Sequence, residues 1–248
     1  MRLRGESATL GHVPASERTM TVEAVVFDLD GVLVETEPVW AAAKRALVME
    51  TGGRWRDDAP TAMLGMSGPE WSEYLRDELG VPLAAEEIRD RVVDEVLARL
   101  DGGVPLIPGA DAAVAAIAER WAVALASSAD RPVIDAVLRA TGLSHVFAAT
   151  VTSDEAGRGK PAPDVYLVAT ERLGVAPEAA VAVEDSGNGI RAATAAGLAL
   201  IAIPSPHAPL DDGVLELASL VLPTIAELTP DAVERAAVAA QAGSPGAG

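Results

Sequence analysis

Four short, almost wholly apolar runs constrain this chain more than any other feature. They are Ala24-Val-Val-Phe-Asp28, Val123-Ala-Leu-Ala-Ser127, Val181-Ala-Val-Glu184 and Ala199-Leu-Ile-Ala-Ile203. A strand with one wet face alternates apolar and polar residues; a strand covered on both faces does not. These runs therefore read as buried parallel strands. Ala-rich stretches at Ala110–Trp121, Ala162–Leu173 and Gly189–Ala196 read as helices between them, with Gly174 and Gly197 as C-terminal stops. Strand–helix alternation of this kind implies right-handed crossovers and an α/β fold with a doubly wound parallel sheet.

One stretch breaks the rhythm. From about Glu35 to Gly103 no strand is evident, and helices are expected at Pro38–Thr51, Pro69–Leu79 and Ala84–Leu100. The acids Glu86, Glu87, Asp90, Asp94 and Glu95 mark a solvated helix face. The expected organisation is a core from residues 21–34 and 104–238, interrupted by an all-helical insertion at 35–103. Residues 1–20 lack the apolar segment of a secretory signal and read as a flexible lead-in, with Met20 as a second possible start. Residues 239–248 read as a disordered tail.

The charge balance narrows the partners. Lys plus Arg is 19 and Asp plus Glu is 37, a net charge of −18. Such a surface repels a phosphate backbone, so no nucleic acid is expected. No run reaches the roughly 20 apolar residues of a membrane helix, so a cytoplasmic protein, monomeric or a small homo-oligomer, is expected. With no cysteine and three scattered histidines, thiol chemistry and multi-His zinc sites lack material. Only Lys44 and Lys160 are lysines; the other 17 cations are arginines.

Ligands of open parallel sheets bind beyond the carboxyl ends of the strands. The first run delivers Asp28-Leu29-Asp30-Gly31 there, the second Ser127-Ser128, and the third Glu184-Asp185. Gly159-Lys160-Pro161 precedes the third run. Four carboxylates, two hydroxyls and one ammonium suit a Mg²⁺-assisted phosphoryl site: hard oxygens bind the ion, a carboxylate attacks phosphorus, and Lys and Ser hold its oxygens.

In this order the residues resemble the haloacid dehalogenase superfamily. Asp28-Leu-Asp-Gly-Val-Leu is similar to its first motif, Ser127 to its second, Lys160 to its third and Glu184-Asp185 to its fourth. The insertion lies where the superfamily's helical cap does. Asp-Gly-Val-Leu-Val-Glu-Thr-Glu-Pro and Gly-Lys-Pro-Ala-Pro-Asp-Val-Tyr resemble the β-phosphoglucomutase-like phosphatases. The resemblance implies a Rossmann-like core with a cap. It implies Asp28 as nucleophile and Asp30 as general acid, then base. It implies Mg²⁺ held by Asp28, the Asp30 backbone carbonyl and Asp185, with Glu184 bound directly or through a partner. Ser127, the Ser128 N–H and Lys160 would bind phosphate, and Gly31 would permit the sharp turn after the strand.

The expected reaction is hydrolysis of a small phosphorylated metabolite, possible sugar phosphates included, through an aspartyl phosphate. A phosphomutase is the alternative, yet Gly68 stands where the mutases' cap arginine is expected and Trp40 where they carry a histidine. Arg54 or Arg76 could take the arginine's part if the loop is shifted. Trp40, Trp55 and Trp71 read as packing residues, one of which could line the pocket; Glu35 and Thr36 read as hinge residues or cap contacts. A non-catalytic binding protein on the same fold is a further alternative, disfavoured because every motif residue is intact.

Overall fold

The computed structural model describes residues 21–63, 66–205 and 210–243. The lead-in 1–20, Leu64 and Gly65, residues 206–209 with His207, and residues 244–248 lie outside them.

Among the described residues six strands form one parallel sheet: β1 (Ala24–Phe27), β2 (Ala122–Ser127), β3 (Ala149–Thr152), β4 (Ala180–Glu184), β5 (Ala199–Ala202) and β6 (Leu220–Val221), in spatial order β3-β2-β1-β4-β5-β6. The four expected strands are the inner four. Chain direction across the sheet reverses between β1 and β4, the switch point where doubly wound folds bind ligands.

Side chains alternate across the sheet. Val25, Phe27, Val123, Leu125, Val181, Val183 and Ile201 face one side; Ala24, Val26, Ala124, Ala126, Ala182 and Ala202 face the other. The small residues on the second face let α8 (Asp164–Leu173) and α9 (Gly187–Ala196) lie close to it. The first face packs against α5 (Ala110–Ala118), α6 (Arg131–Thr141) and α11 (Pro230–Gly243). Gly174 and Gly197 end their helices at φ 72° and 87°, as expected. Helix α11 runs through Gly243, so the tail expected from 239 is helical to that point: Ala232, Val233, Ala236 and Ala237 bury one face and carry the helix onward.

Within the 35–103 insertion the regular elements among the described residues are all helices: α1 (Glu37–Glu50), α2 (Ala59–Ala62), α3 (Gly68–Asp77) and α4 (Ala85–Leu100). Pro38 in the first turn of α1 and the Ser67–Glu70 capping box at α3 set two of the starts. Leu47, Leu75, Ile88, Val92 and Val96 fill their shared interior, which is continuous with the first sheet face. Two further short helices, α7 (Ser153–Ala156) and α10 (Asp212–Leu215), complete the core. No described helix is long and apolar enough to cross a membrane.

Candidate active site

Sheet register builds the site. Phe27 pairs with Val183 and with Leu125, so the next residues, Asp28, Glu184 and Ala126, emerge side by side. The Asp28 N–H donates to the Val183 carbonyl at 3.0 Å. The chain then turns: the Gly31 N–H donates to the Val34 carbonyl and the Leu33 N–H to the Leu29 carbonyl, both at 2.8 Å. Gly31 has φ 79°, and a Cβ there would overlap the Asp185 carboxylate. Asp30 points into the same space, where the buried Thr36 hydroxyl donates to its Oδ1.

Lys160, on the loop between α7 and α8, joins the two strand ends. Its ammonium donates to Asp28 Oδ1 and Glu184 Oε1, each at 2.6 Å, and to the Ala126 carbonyl at 3.1 Å. The expectation for this residue is phosphate binding; here both nearby carboxylates share it. The other Glu184 oxygen accepts the N–H groups of Asp185 and Ser186 at 3.0 and 3.1 Å. Tyr166 on α8, whose role the sequence did not single out, donates its hydroxyl to Glu184 Oε1 at 2.7 Å. Glu184 is wholly buried, and a Cβ on Gly189 would overlap its carboxylate.

Asp28, Asp30 and Asp185 stand in a dry setting that resists their ionisation. Burial, helped by Glu184 and Asp30 and opposed by Lys160, pushes the Asp28 carboxyl up to about 8. Burial also raises Asp30, against the Thr36 hydrogen bond, and raises Asp185 well above the ordinary carboxylate range beside Glu184 and Asp28. Burial opposes the Lys160 ammonium, yet Asp28 and Glu184 outweigh it and hold Lys160 firmly protonated. One ammonium does not neutralise three buried carboxylates. Oxygens of Asp28, Glu184 and Asp185 lie within 4.8 Å of one another, an all-oxygen donor set that fits a hard divalent cation. Asp30's carboxylate is not part of that trio.

The helical insertion covers this edge as a cap. A cavity of about 90 Å³ lies beneath it, lined by Asp28, Asp30, Lys160, Asp185 and Ser128 from the core and by Glu37, Trp40, Lys44, Met63 and Trp71 from the cap, among others. At one side a Cβ on Gly159 would come within 3.0 Å of Ser67, so cap and core touch closely. Ser128 reaches the cavity, with its Oγ 3.2 Å from Ser153 Oγ. Ser127 is fully buried, and its Oγ accepts the Ala129 N–H at 3.0 Å, fixing the turn that presents Ser128. Trp40 and Trp71 line the cavity; Trp55 does not. Lys44 is the cap residue that sequence reading passed over: its ammonium lies 5.5 and 4.9 Å from the ring centroids of Trp40 and Trp71. Only its rarity marked it.

The mutase features are placed differently. The space beside Gly68 is crossed by the Arg89 guanidinium, 2.5 Å from where a Cβ would stand. Arg89 does not line the cavity; it pairs with Asp130 and Asp154 of the core. Arg76 pairs with Asp77 on the surface and Arg54 is exposed, so neither takes the arginine's part.

The sequence and the fold both have known counterparts. The model of the haloacid dehalogenase-like hydrolases matches residues 22–197. The chain is 32% identical to hexitol phosphatase B of Escherichia coli K12, over 83% of this chain and 94% of that one. It is 33% identical to a phosphorylated carbohydrates phosphatase of Thermotoga maritima, over 71% and 82%. The crystal structure of CbbY from Rhodobacter sphaeroides with phosphate superposes with a TM-score of 0.78 at 30% identity, over 86% of this chain and all of that one. Matched over most of its length by that family model and by these phosphatases, the chain belongs to the haloacid dehalogenase-like hydrolases and is a phosphoric monoester hydrolase.

Proposed function

We propose that the protein is a Mg²⁺-dependent cytoplasmic phosphatase of small phosphorylated metabolites, sugar phosphates among them, acting through an aspartyl phosphate on Asp28. The observation that carries this reading is the meeting of Asp28, Asp30, Asp185 and Lys160 in one cap-covered cavity. The similarity to phosphatases of hexitol phosphates and phosphorylated carbohydrates supports the substrate class.

An Asp28 carboxylate oxygen attacks phosphorus, and the bond to the ester oxygen breaks. Asp30, whose pKa burial raises, gives its proton to that leaving oxygen. Water then attacks the aspartyl phosphate, with Asp30 taking its proton, and phosphate leaves with Asp28 restored. Thr36 steadies the Asp30 carboxyl. Lys160 and the Ser128 N–H bind phosphoryl oxygens, while Ser127 and Tyr166 hold their neighbours in place. Asp28, Asp185 and the Asp30 carbonyl would hold Mg²⁺, with Glu184 beside them. When bound, the ion offsets the repulsion between carboxylates and phosphate. The cap excludes water from the first step.

A screen of phosphorylated metabolites with and without Mg²⁺, including a sugar 1-phosphate followed for isomerised product, tests the reading. Phosphate release without isomer is expected, and Asp28→Asn should abolish it. Turnover surviving in Asp28→Asn, or an isomerised product, would overturn it.

A further inference from the structure

Both lysines of this arginine-rich chain line one cavity. Lys160 is committed to Asp28 and Glu184. Lys44 comes down from α1 of the cap, with only 8% of its surface exposed. Among the described residues no carboxylate lies within 4.0 Å of its ammonium, although Glu37, Asp30 and Asp130 act on it from farther away. The faces of Trp40 and Trp71 flank it instead. A buried cation is ordinarily paired. Two indole faces compensate it only in part. An ammonium left this way, opening onto the cavity that holds the nucleophile, is arranged to receive an anion supplied by a ligand.

We infer that Lys44 is a specificity-determining residue, selecting phosphomonoesters whose leaving group carries a second anionic group, a carboxylate or another phosphate, close to the scissile one. This inference rests on the phosphatase reading of the site. Lys44 stands on the cap wall while Asp28, Asp185 and Lys160 form the core wall, so one ligand would bridge cap and core. The charged residues lining the cap side are the cation Lys44 and the acid Glu37, and Glu37 disfavours an anion placed away from Lys44. The arginine of the mutases is not needed for such a grip, because the cation here comes from α1.

Matched probes test this: 2-phosphoglycolate and ethane-1,2-diyl bisphosphate carry the second anion, and ethyl phosphate of similar length does not. The wild-type protein with Mg²⁺ should prefer the two anionic probes by about tenfold or more in kcat/KM. Lys44→Met, which keeps the stem between the indoles, should lose that preference about tenfold to hundredfold while its kcat/KM for ethyl phosphate changes little. Lys44→Gln serves as a second variant if Lys44→Met melts early. Equal loss on all three probes would place Lys44 on the transferring phosphate and overturn the inference, as would a wild type without preference. If the wild type hydrolyses neither these probes nor 4-nitrophenyl phosphate, the phosphatase reading itself fails. Lys44 is then judged by binding alone, from tryptophan fluorescence of Asp28→Asn with and without Lys44→Met. Tighter binding of the anionic probes that Lys44→Met removes supports the inference; indifference to Lys44→Met refutes it.

Discussion

The Asp185 carboxylate occupies the space that any side chain on Gly31 would need. The turn that follows β1 and the turn that follows β4 are thus fitted into each other, and glycine is the residue that permits both the contact and the φ of 79°. Gly31→Ala should therefore do two kinds of damage. Left-handed backbone costs about 1–2 kcal/mol for alanine. Displacing Asp185 should weaken the response to Mg²⁺ as well. Gly80→Ala is the control, because Gly80 has φ 74° and open space around it. A similar drop in melting temperature in both variants is expected, with Mg²⁺-dependent turnover lost only in Gly31→Ala.

Thr36→Val removes the hydroxyl that donates to Asp30 while keeping the side chain's shape. The buried carboxyl then loses its partner, at about 1–2 kcal/mol. The expected result is a fall of about tenfold in kcat with a nearly unchanged KM, since the role proposed for Asp30 is to move protons and not to anchor substrate. Steady-state kinetics on one good substrate decides it. A change confined to KM would show that Thr36 serves binding instead.

Arg89 ties the cap to the core. It reaches from α4 over Gly68 to the buried Asp130 and to Asp154. Burial raises the Asp130 pKa despite Arg89, so removal of the arginine leaves a poorly compensated acid. Arg89→Met should destabilise by about 2 kcal/mol, below the full range for buried pairs because Arg89 is partly exposed. The double variant with Asp130→Asn should recover part of that loss, read as a coupling of about 1 kcal/mol in a denaturant double-mutant cycle. Proteolysis at the cap hinges should be faster in Arg89→Met.

Lys44 makes a prediction in pH. Burial, opposed by Glu37, Asp30 and Asp130, lowers its pKa from 10.5 to about 8. Between these values the unfolded chain binds more protons at Lys44 than the native state does. Stability from this group thus rises as pH goes from about 8 to 10.5, on the order of 3 kcal/mol over the full window. The difference in unfolding free energy between wild type and Lys44→Met should therefore change across that window in the wild type's favour. A constant difference would show that Lys44 titrates as an ordinary surface lysine.

Strands β1, β2, β4 and β5 were legible because both of their faces are covered, which makes the run continuously apolar. The edge strands β3 and β6 were not. Ala149-Thr-Val-Thr152 is only half buried along its length, and Leu220–Val221 is two residues with one exposed, so neither carries the signature of an interior strand. The acids at the strand ends were legible for the same reason as the strands: a charge closing a buried run needs a use. Tyr166 and Lys44 sit on helices that read simply as amphipathic, and nothing in their local pattern says what they face.

The parallel core, the helical stretch between its first two interior strands and the gathering of Asp28, Asp30, Lys160, Glu184 and Asp185 at one edge are all written into the local pattern of the chain. Those follow from periodicity and from the rule that ligands gather at the carboxyl ends of such strands. Which groups share charge depends on the packing in three dimensions. It put Lys160 between two carboxylates, turned Ser127 inward and Ser128 outward, carried Arg89 away from the cavity and brought Lys44 into it. Burial and pairing arise between residues far apart in the chain, and no local pattern encodes them.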